Sequence, residues 1–449
     1  MTELKQYRIT AGSAAELVAD VEGAVARGEL VAGQALPSVR RLAVAVGLSP
    51  VTVAAGLAEL RRRGVVVSEP RRGTRIGERP PIGSARAALP VPPGAQDLSL
   101  GNPDPALLPD LSRALARTEL PVRLYGEPAA VPELAALAHE QLRADGIPGE
   151  APFVVSGALD GIERVIEAHL RPGDRVAVEN PGYAALFDLL RARGLVLEAV
   201  AVDQRGMRPA ELQAAIERGA SAAIITPRGQ NPTGAALDAR RAAQLRRVLA
   251  KAPGTTGPSP TLVIEDDHLG PVAGSGLHTT VTGLERWAAT RSVAKALGPD
   301  LRLAVLAADP QTLARVQGRQ QCGPGWVSHV LQRLVLHLWR DPQVLELIER
   351  ASATYTKRRR QLLRELDARG VRASGTSGLN VWVPVPEETA AVGALLQRGW
   401  VLAPGAPFRL AGAAPALRVT IATLAEREAQ RLAADLADVL APARARRSG

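Results

Sequence analysis

From about residue 98 onward, short apolar runs alternate with stretches of helical periodicity. The apolar runs are FVVS, RVAVE, SAAIIT, TLVIED and LAVLAA, and residues 158–170 and 236–250 are examples of the helical stretches. Strands that alternate with helices usually form parallel sheets, because each helix carries the chain back to the start of the next strand. We therefore predict an α/β main domain on a largely parallel sheet, with its ligand site at the carboxyl ends of the strands.

Ahead of this domain, two short helices are bounded by caps and glycines. Ser38 is placed to cap a helix that ends at Gly47, and Ser49 is placed to cap the next one. Two helices joined by a three-residue turn form a helix-turn-helix. In that arrangement the first-turn residues Ser49, Val51 and Thr52 are expected to face base edges in the major groove of DNA.

The N-terminal segment is basic where a DNA-binding surface needs to be basic. Residues 1–76 hold eleven Lys and Arg against seven Asp and Glu, and the excess lies around the two helices and in the run VVVSEPRRGTRI. That run predicts two strands around a basic turn, a wing that contacts phosphate or the minor groove. The alternative is a small three-helix docking module with a solvated basic face. Besides the helix residues, the candidate DNA contacts are Arg40, Arg41, Arg71, Arg72, Gly73 and Thr74.

Residues 12–77 resemble the winged-helix domain of GntR-family regulators. The match rests on G-E-L-x-x-G-x-x-L-P-S-x-R-x-L-A, on G-L-S-x-x-T-V and on R-R-G-T. At Gly56 the family often has an aromatic residue in the recognition helix. Glycine there predicts looser packing of that helix.

The downstream motifs match the needs of pyridoxal 5'-phosphate (PLP). This cofactor needs an amine for its aldehyde, a carboxylate for its pyridine nitrogen, and a helix N-terminus with an arginine for its phosphate. Lys295 is expected in a loop without apolar periodicity, Asp266 closes the strand TLVIED, and Gly157 lies between a strand and a helix. Each has an ordinary structural explanation when taken alone.

Together these motifs resemble fold-type I aminotransferases over residues 98–440, most specifically in NPTG and in the seven-residue spacing from Lys295 to Arg302. The resemblance implies that Lys295 forms the Schiff base and is the catalytic residue. It also implies that Asp266 pairs with the ring nitrogen of PLP, that Asn231 binds the ring hydroxyl, and that Tyr183 stacks on the ring. The residues that it implies for the phosphate are Gly157, Ala158, Ser292 and Arg302, with Tyr125 reaching the phosphate of the partner subunit. For the substrate, it implies that Arg418 binds a carboxylate and that Gly101 lines the same pocket.

Two of these residues leave alternatives open. His268 stands where aminotransferases commonly have a tyrosine. An imidazole can donate a similar hydrogen bond to the cofactor, and its titration near neutral pH would change the protonation of the Schiff base. Alternatively, His268 satisfies a turn. For Arg418, the alternative to a carboxylate clamp is a structural ion pair.

The order of the parts is that of the MocR subfamily of GntR regulators. We predict a winged helix-turn-helix over residues 1–77, a Pro-, Ala- and Gly-rich linker over 78–97, and an aminotransferase-like domain over 98–449. The last has a large part to about residue 325 and a small α+β part from about residue 326. Within the subfamily, the runs RSVAKALGPDLRLA, GWVSH and GLNVWVPV resemble PtsJ-type members, which are tied to vitamin B6 metabolism.

The resemblance implies a transcription regulator that binds operator DNA and senses PLP or an adduct of PLP with an amine or amino acid. It implies a homodimer, domain-swapped if the DNA reader docks on the partner subunit. The alternative is a working aminotransferase with an appended DNA-binding module. Cys322 is the single cysteine, and no apolar run is long enough to span a bilayer, so we expect a cytoplasmic protein without disulfide, membrane segment or metal.

Overall fold

The structure is a computed structural model that describes residues 12–27, 29–62, 65–69, 73–77, 91–251, 260–410 and 412–441. Its helices are α1 Ala14–Ala26, α2 Val39–Val46, α3 Pro50–Arg62, α4 Leu111–Leu115, α5 Pro132–Ala144, α6 Ala158–His169, α7 Ala184–Ala192, α8 Pro209–Glu217, α9 Ala239–Lys251, α10 Ala294–Leu297, α11 Pro310–Gln321, α12 His329–Arg340, α13 Pro342–Asp367, α14 Glu388–Gln397 and α15 Glu426–Leu440. Short 3-10 turns cover Pro105–Leu107, Gly270–Ala273, Pro299–Leu301 and Ala406–Phe408.

The strands are β1 Val66–Glu69, β2 Gly73–Ile76, β3 Gln96–Asp97, β4 Phe153–Val155, β5 Arg175–Asn180, β6 Val196–Asp203, β7 Gly206–Met207, β8 Ala220–Ile225, β9 Leu262–Asp267, β10 Trp287–Ser292, β11 Ala304–Ala308, β12 Asn380–Pro384, β13 Trp400–Val401, β14 Ala403–Pro404 and β15 Ala416–Thr420. The last two residues of the predicted linker, Gln96 and Asp97, form the strand β3. This strand pairs in parallel with β13.

The N-terminal module consists of α1 to α3 and the antiparallel pair β1 and β2. The Ser38 hydroxyl accepts a hydrogen bond from the Arg41 backbone N–H at the start of α2, and Gly47 ends that helix with φ 71°. Leucines and valines of all three helices fill one core, which includes Leu17, Leu42 and Leu60. The predicted helix-turn-helix and wing strands are confirmed.

The expectation of loose packing at Gly56 is wrong. A Cβ atom at this position would lie 3.0 Å from Leu17 Cδ2 and 3.3 Å from the Ala14 carbonyl oxygen. Helices α1 and α3 therefore approach each other closely at this glycine, and an aromatic ring there would overlap α1.

The main domain contains an eight-stranded sheet in the order β4, β11, β10, β9, β8, β5, β6, β7. Strands β8, β9 and β10 run parallel, whereas β11 is antiparallel to both of its neighbours. The predicted α/β class is confirmed. Because β4 thus points the same way as β10, the carboxyl ends of β4, β8, β9 and β10 lie along one edge of the sheet.

The last part of the chain forms a smaller α+β unit. Its three-stranded antiparallel sheet has the order β12, β15, β14, and the 26-residue helix α13 packs against α15. No single helix of the described residues has the length and apolarity needed to cross a membrane, and α2 and α3 reach that threshold only when counted together, across a bend of 110°.

Candidate cofactor cavity and DNA-binding surface

A cavity of about 220 Å³ lies where β4, β9 and β10 end. Most of the side chains singled out in the sequence line it together with apolar neighbours such as Leu100, Leu269 and Leu379. The predicted residues that line it are Gly101, Gly157, Ala158, Tyr183, Asn231, Asp266, His268, Ser292, Lys295, Arg302 and Arg418. Residues from distant parts of the chain thus meet at one site.

Lys295 lies in α10, a single helical turn that follows β10, and not in the loop expected from its sequence. Its amine donates a hydrogen bond to the Gly101 carbonyl oxygen at 2.8 Å. Burial, and next the charge of Arg418, lower the pKa of Lys295 from its ordinary value of 10.5 to about 8. A larger fraction of this amine is therefore neutral and nucleophilic near neutral pH than for a solvated lysine.

Asp266 and Asp267 end β9, and both are buried in contrasting surroundings. Burial raises the pKa of Asp267, but hydrogen-bonded ion pairs with Arg228 at 2.8 Å and Arg291 at 2.7 Å outweigh it, so that the pKa falls to about 2. For Asp266, burial and the charge of Asp267 raise the pKa to about 7. Its Oδ1 atom has no hydrogen-bond partner among the described residues. Asp267 is thus a permanent charge, and Asp266 is a carboxyl with an acceptor available to a ligand.

Sequence reasoning missed Arg228 and Arg291. Both are 5% exposed, and both lie in runs that contain a candidate ligand residue, TPRGQNPTG and TRSVAK. Arg228 follows the predicted strand SAAIIT by two residues, and an arginine so close to a buried strand is a signal that could have identified it, because a buried guanidinium requires a carboxylate or carbonyl partner. Arg291 lies in β10, which was not among the predicted strands, so its sequence carried no such signal.

The turn between β4 and α6 forms a cradle for an anion. Gly157 has φ 101°, and a Cβ atom there would lie 3.1 Å from Nη2 of Arg302. The guanidinium therefore covers the backbone just before the N-terminus of the 12-residue helix α6. Across the cavity, the Ser292 hydroxyl accepts a hydrogen bond from the Ala294 backbone N–H at 3.1 Å.

Arg418 is 6% exposed and is held without a carboxylate. It donates to Asn231 Oδ1 at 3.1 Å and to the Ser99 carbonyl oxygen, and its guanidinium lies 4.6 Å from the centre of the Phe408 ring. Among the described residues it forms no ion pair within 4.0 Å. Burial lowers its pKa to about 10. The alternative of a structural ion pair therefore has no support in the described residues.

His268 lies two residues after Asp266, with its Nδ1 atom 3.9 Å from Asp266 Oδ2. Burial, and next the charge of Lys295, lower the pKa of His268 to about 4. In the protein without a ligand the imidazole is therefore neutral near neutral pH, and its predicted effect on a Schiff base at Lys295 stays a prediction. A neutral imidazole still offers one donor and one acceptor to the cavity.

The two predicted tyrosines lie in different places. Tyr183 lines the cavity after β5. Tyr125 is 92% exposed and contacts Trp326 edge-on, with 5.5 Å between ring centres. Its predicted contact with a partner subunit stays a prediction.

The candidate DNA-binding side chains of α2 and α3 lie on the surface. Arg40, Arg41 and Ser49 are exposed, and Val51 is 79% exposed although it is apolar. The Ser49 hydroxyl accepts from the Thr52 backbone N–H at 3.1 Å and caps α3 as predicted. In the wing, Gly73 is exposed and Thr74 is half-buried, whereas Arg71 and Arg72 lie outside the described residues.

Comparison with known families assigns both parts of the chain. Residues 97–436 match the family aminotransferase class I and II, and residues 13–76 match the bacterial regulatory proteins of the gntR family. The first match covers most of the chain.

Individual relatives agree with this division. The vitamin B6 salvage pathway transcriptional repressor PtsJ of Salmonella typhimurium is 39% identical over 95% of this chain and 98% of its own length. The pyridoxine biosynthesis transcriptional regulator PdxR of Corynebacterium glutamicum is 29% identical over 50% of this chain and 51% of its own. Among solved structures, the α-aminoadipate aminotransferase LysN of Thermus thermophilus, complexed with N-(5'-phosphopyridoxyl)-L-leucine, has a TM-score of 0.67 at 22% identity, covering 78% of this chain and 92% of its own.

Proposed function

Since the chain belongs to the MocR-type regulators, with a gntR-family winged helix joined to a fold-type I domain of the aminotransferase class I and II family, we propose that it is a PLP-responsive transcription regulator. One observation carries the proposal. Lys295 and the unpartnered Oδ1 atom of Asp266 line the same cavity in a chain whose N-terminal module is built to read DNA.

The residues of the cavity fit PLP, which supplies an aldehyde that condenses with an amine. Lys295 would hold the aldehyde carbon, and the free Asp266 Oδ1 would accept a hydrogen bond from the ring nitrogen. The Gly157 backbone and Arg302 would hold the phosphate, since a Cβ at Gly157 would fill the space between them. Asn231, His268 and Tyr183 would contact the ring.

A route for the signal follows from the contacts of two cations. Lys295 holds the Gly101 carbonyl, and Arg418 holds the Ser99 carbonyl. Both carbonyls belong to the segment that follows the linker to the DNA-binding module. A ligand that engages Lys295 and Arg418 competes for these contacts, and it therefore favours a different position of the segment. Binding of a ligand in the cavity would thereby change the position of the chain where the linker ends.

The names of two relatives point to genes of vitamin B6 metabolism as the regulated genes. We further propose that the chain acts on operator DNA in the cytoplasm as a homodimer in which Tyr125 reaches the cavity of the partner subunit, with the N-terminal module exchanged between subunits. The effector is PLP or an adduct of it with an amine or amino acid. An adduct with a carboxylate would use Arg418.

A binding titration tests the proposed function. The full chain is titrated onto the DNA upstream of its own gene, with and without PLP. We expect the affinity to change with PLP for the wild type and not for Lys295→Ala. Equal affinity with and without PLP in the wild type would refute the sensor function.

Arg418 favours a second candidate, a working aminotransferase. A buried guanidinium without a carboxylate partner beside Lys295 is suited to hold the α-carboxylate of an amino acid. Release of keto acid over many turnovers with an amino-acid panel, and its loss in Arg418→Gln, would support this function. Release of less than one equivalent per chain across the panel would exclude it.

A further inference from the structure

A second concave surface, which shares no lining residue with the cofactor cavity, lies along the exposed face of α13. It is an open groove of about 820 Å³ between α13 and the loop that follows the 3-10 turn at Gly270–Ala273. The basic side chains that line it are Lys357, Arg360 and Arg364, and the hydroxyl residues Ser352 and Thr356 line it as well. Nothing in the proposed cofactor chemistry uses this groove.

The three cations are exposed, and in the described part of the chain none of them has a carboxylate within 4.0 Å. The other basic residues of α13 differ. Arg358 pairs with Asp104 at 2.8 Å, and Arg359 is buried and donates to two backbone carbonyls. The groove is thus lined by three cations of α13 that form no ion pair among the described residues.

Helix geometry arranges these cations as a stripe. Lys357, Arg360 and Arg364 follow at spacings of three and four residues, so they share one face of α13. Arg350 lies two turns earlier, is exposed, and likewise forms no ion pair among the described residues. At 1.5 Å per residue, the stripe from Arg350 to Arg364 is about 21 Å long. Among the described residues that line the groove, one is acidic, Glu349, and three are basic. The net charge of the groove lining is therefore positive.

We propose that this stripe, Arg350, Lys357, Arg360 and Arg364, binds the phosphate backbone of DNA beyond the base pairs that the N-terminal module reads. The inference rests on the proposed regulator function. A length of about 21 Å corresponds to about six base pairs, which exceeds the size of a small anion and matches a row of phosphates. Exposed cations on flexible stems contact phosphates without reading sequence, and they add affinity that falls steeply with salt.

The test compares two double variants of the full chain. Lys357→Ala with Arg364→Ala removes two charges of the stripe, seven residues apart. Arg240→Ala with Arg247→Ala removes two exposed charges with the same spacing on α9, where no ion pair involves them among the described residues. Affinity for a long fragment containing the DNA upstream of the gene is measured between low and high salt. Thermal melting of all three proteins checks that they remain folded.

We expect the stripe variant to lose affinity and to lower the slope of log affinity against log salt by about one to two, while the α9 variant matches the wild type. On a fragment trimmed to the base pairs protected by the N-terminal module, the stripe variant is expected to match the wild type. An unchanged slope for the stripe variant, or an equal change for both variants, would overturn the inference. If the wild type binds no DNA specifically, the proposed function fails as well.

Discussion

Lys295 shows how burial and a neighbouring cation together prepare a residue for chemistry. Its amine has no carboxylate to hold its proton among the described residues, and it lies in a cavity with a second cation, Arg418. Both effects disfavour the charged form of the amine. Lys295 would contact the aldehyde of a ligand, and Arg418 its carboxylate. The groups that would bind the ligand are therefore already in place in the free site.

This environment predicts the pH dependence of cofactor capture. The rate at which PLP absorbance changes on mixing with the free protein should rise with pH around a midpoint of about 8, because the neutral amine reacts. Arg418→Gln should move the midpoint upward, since it removes a positive charge that lowers the pKa of Lys295. A wild-type midpoint near the ordinary lysine value of 10.5 would contradict this reading.

The raised pKa of Asp266 predicts how the stability of the folded protein depends on pH. Its pKa in the folded protein is raised from 3.8 to about 7, so the stability that its protonated form contributes is complete below pH 3.8 and is lost as pH rises through about 7. Asn does not titrate. The melting temperature of ligand-free Asp266→Asn, relative to wild type, should therefore increase from pH 4 to pH 7 and then level off.

Asp267 provides the matched control, because its pKa is lowered. Asp267→Asn leaves Arg228 and Arg291 buried without their carboxylate. Such a loss costs about 3–5 kcal/mol, and the variant should melt well below wild type at neutral pH. If Asp266→Asn also melted lower than wild type at every pH, the Asp266 carboxyl would be stabilising the folded protein, contrary to this prediction.

At the residue scale, the sequence identified the members of the cavity and not their protonation. Lys295, Asp266 and Asn231 stand in short motifs, which is why they could be named. The opposite behaviour of Asp266 and Asp267 depends on Arg228, which is 39 residues away in sequence. The same holds for His268, whose neutral state follows from burial and from the charge of Lys295. A single sequence contains no information on such distances.

At the scale of elements, α2 and α3 were predictable because caps and glycines mark their ends. Strand β10 was not among the predicted strands. Its sequence WAATRS ends in three polar residues, yet Thr290, Arg291 and Ser292 are 1%, 5% and 7% exposed. Thr290 donates to the Glu265 carbonyl at 3.3 Å, and Arg291 pairs with Asp267, so both are satisfied by the neighbouring strand β9. Only the sheet itself reveals this compensation.

The contact between α1 and α3 gives a prediction at the same scale. Gly56→Phe should lower the free energy of unfolding of the N-terminal module by about 1–3 kcal/mol, because the ring would overlap Leu17 and the Ala14 carbonyl. Ala58→Phe, on the exposed side of α3, is the control and should change it little. Chemical denaturation followed by a probe in the module measures both. A stable Gly56→Phe variant would show that α1 and α3 can move apart.

In the whole molecule, we propose that the cofactor cavity and the DNA-binding module are coupled through one chain. The winged helix and the cofactor cavity are each recognisable in the sequence. Their coupling is a difference in ligand affinity between two arrangements of the protein, and that difference is a free energy. If the affinity for PLP did not depend on DNA, the two sites would be independent of each other.

The most direct measurement is therefore reciprocal. The affinity of the full chain for PLP is determined by absorbance titration, with and without saturating DNA from upstream of its gene. By linkage, DNA must change the affinity for PLP by the same factor by which PLP changes the affinity for DNA. We predict equal factors that both differ from one. A PLP affinity that is identical with and without the DNA would contradict the account.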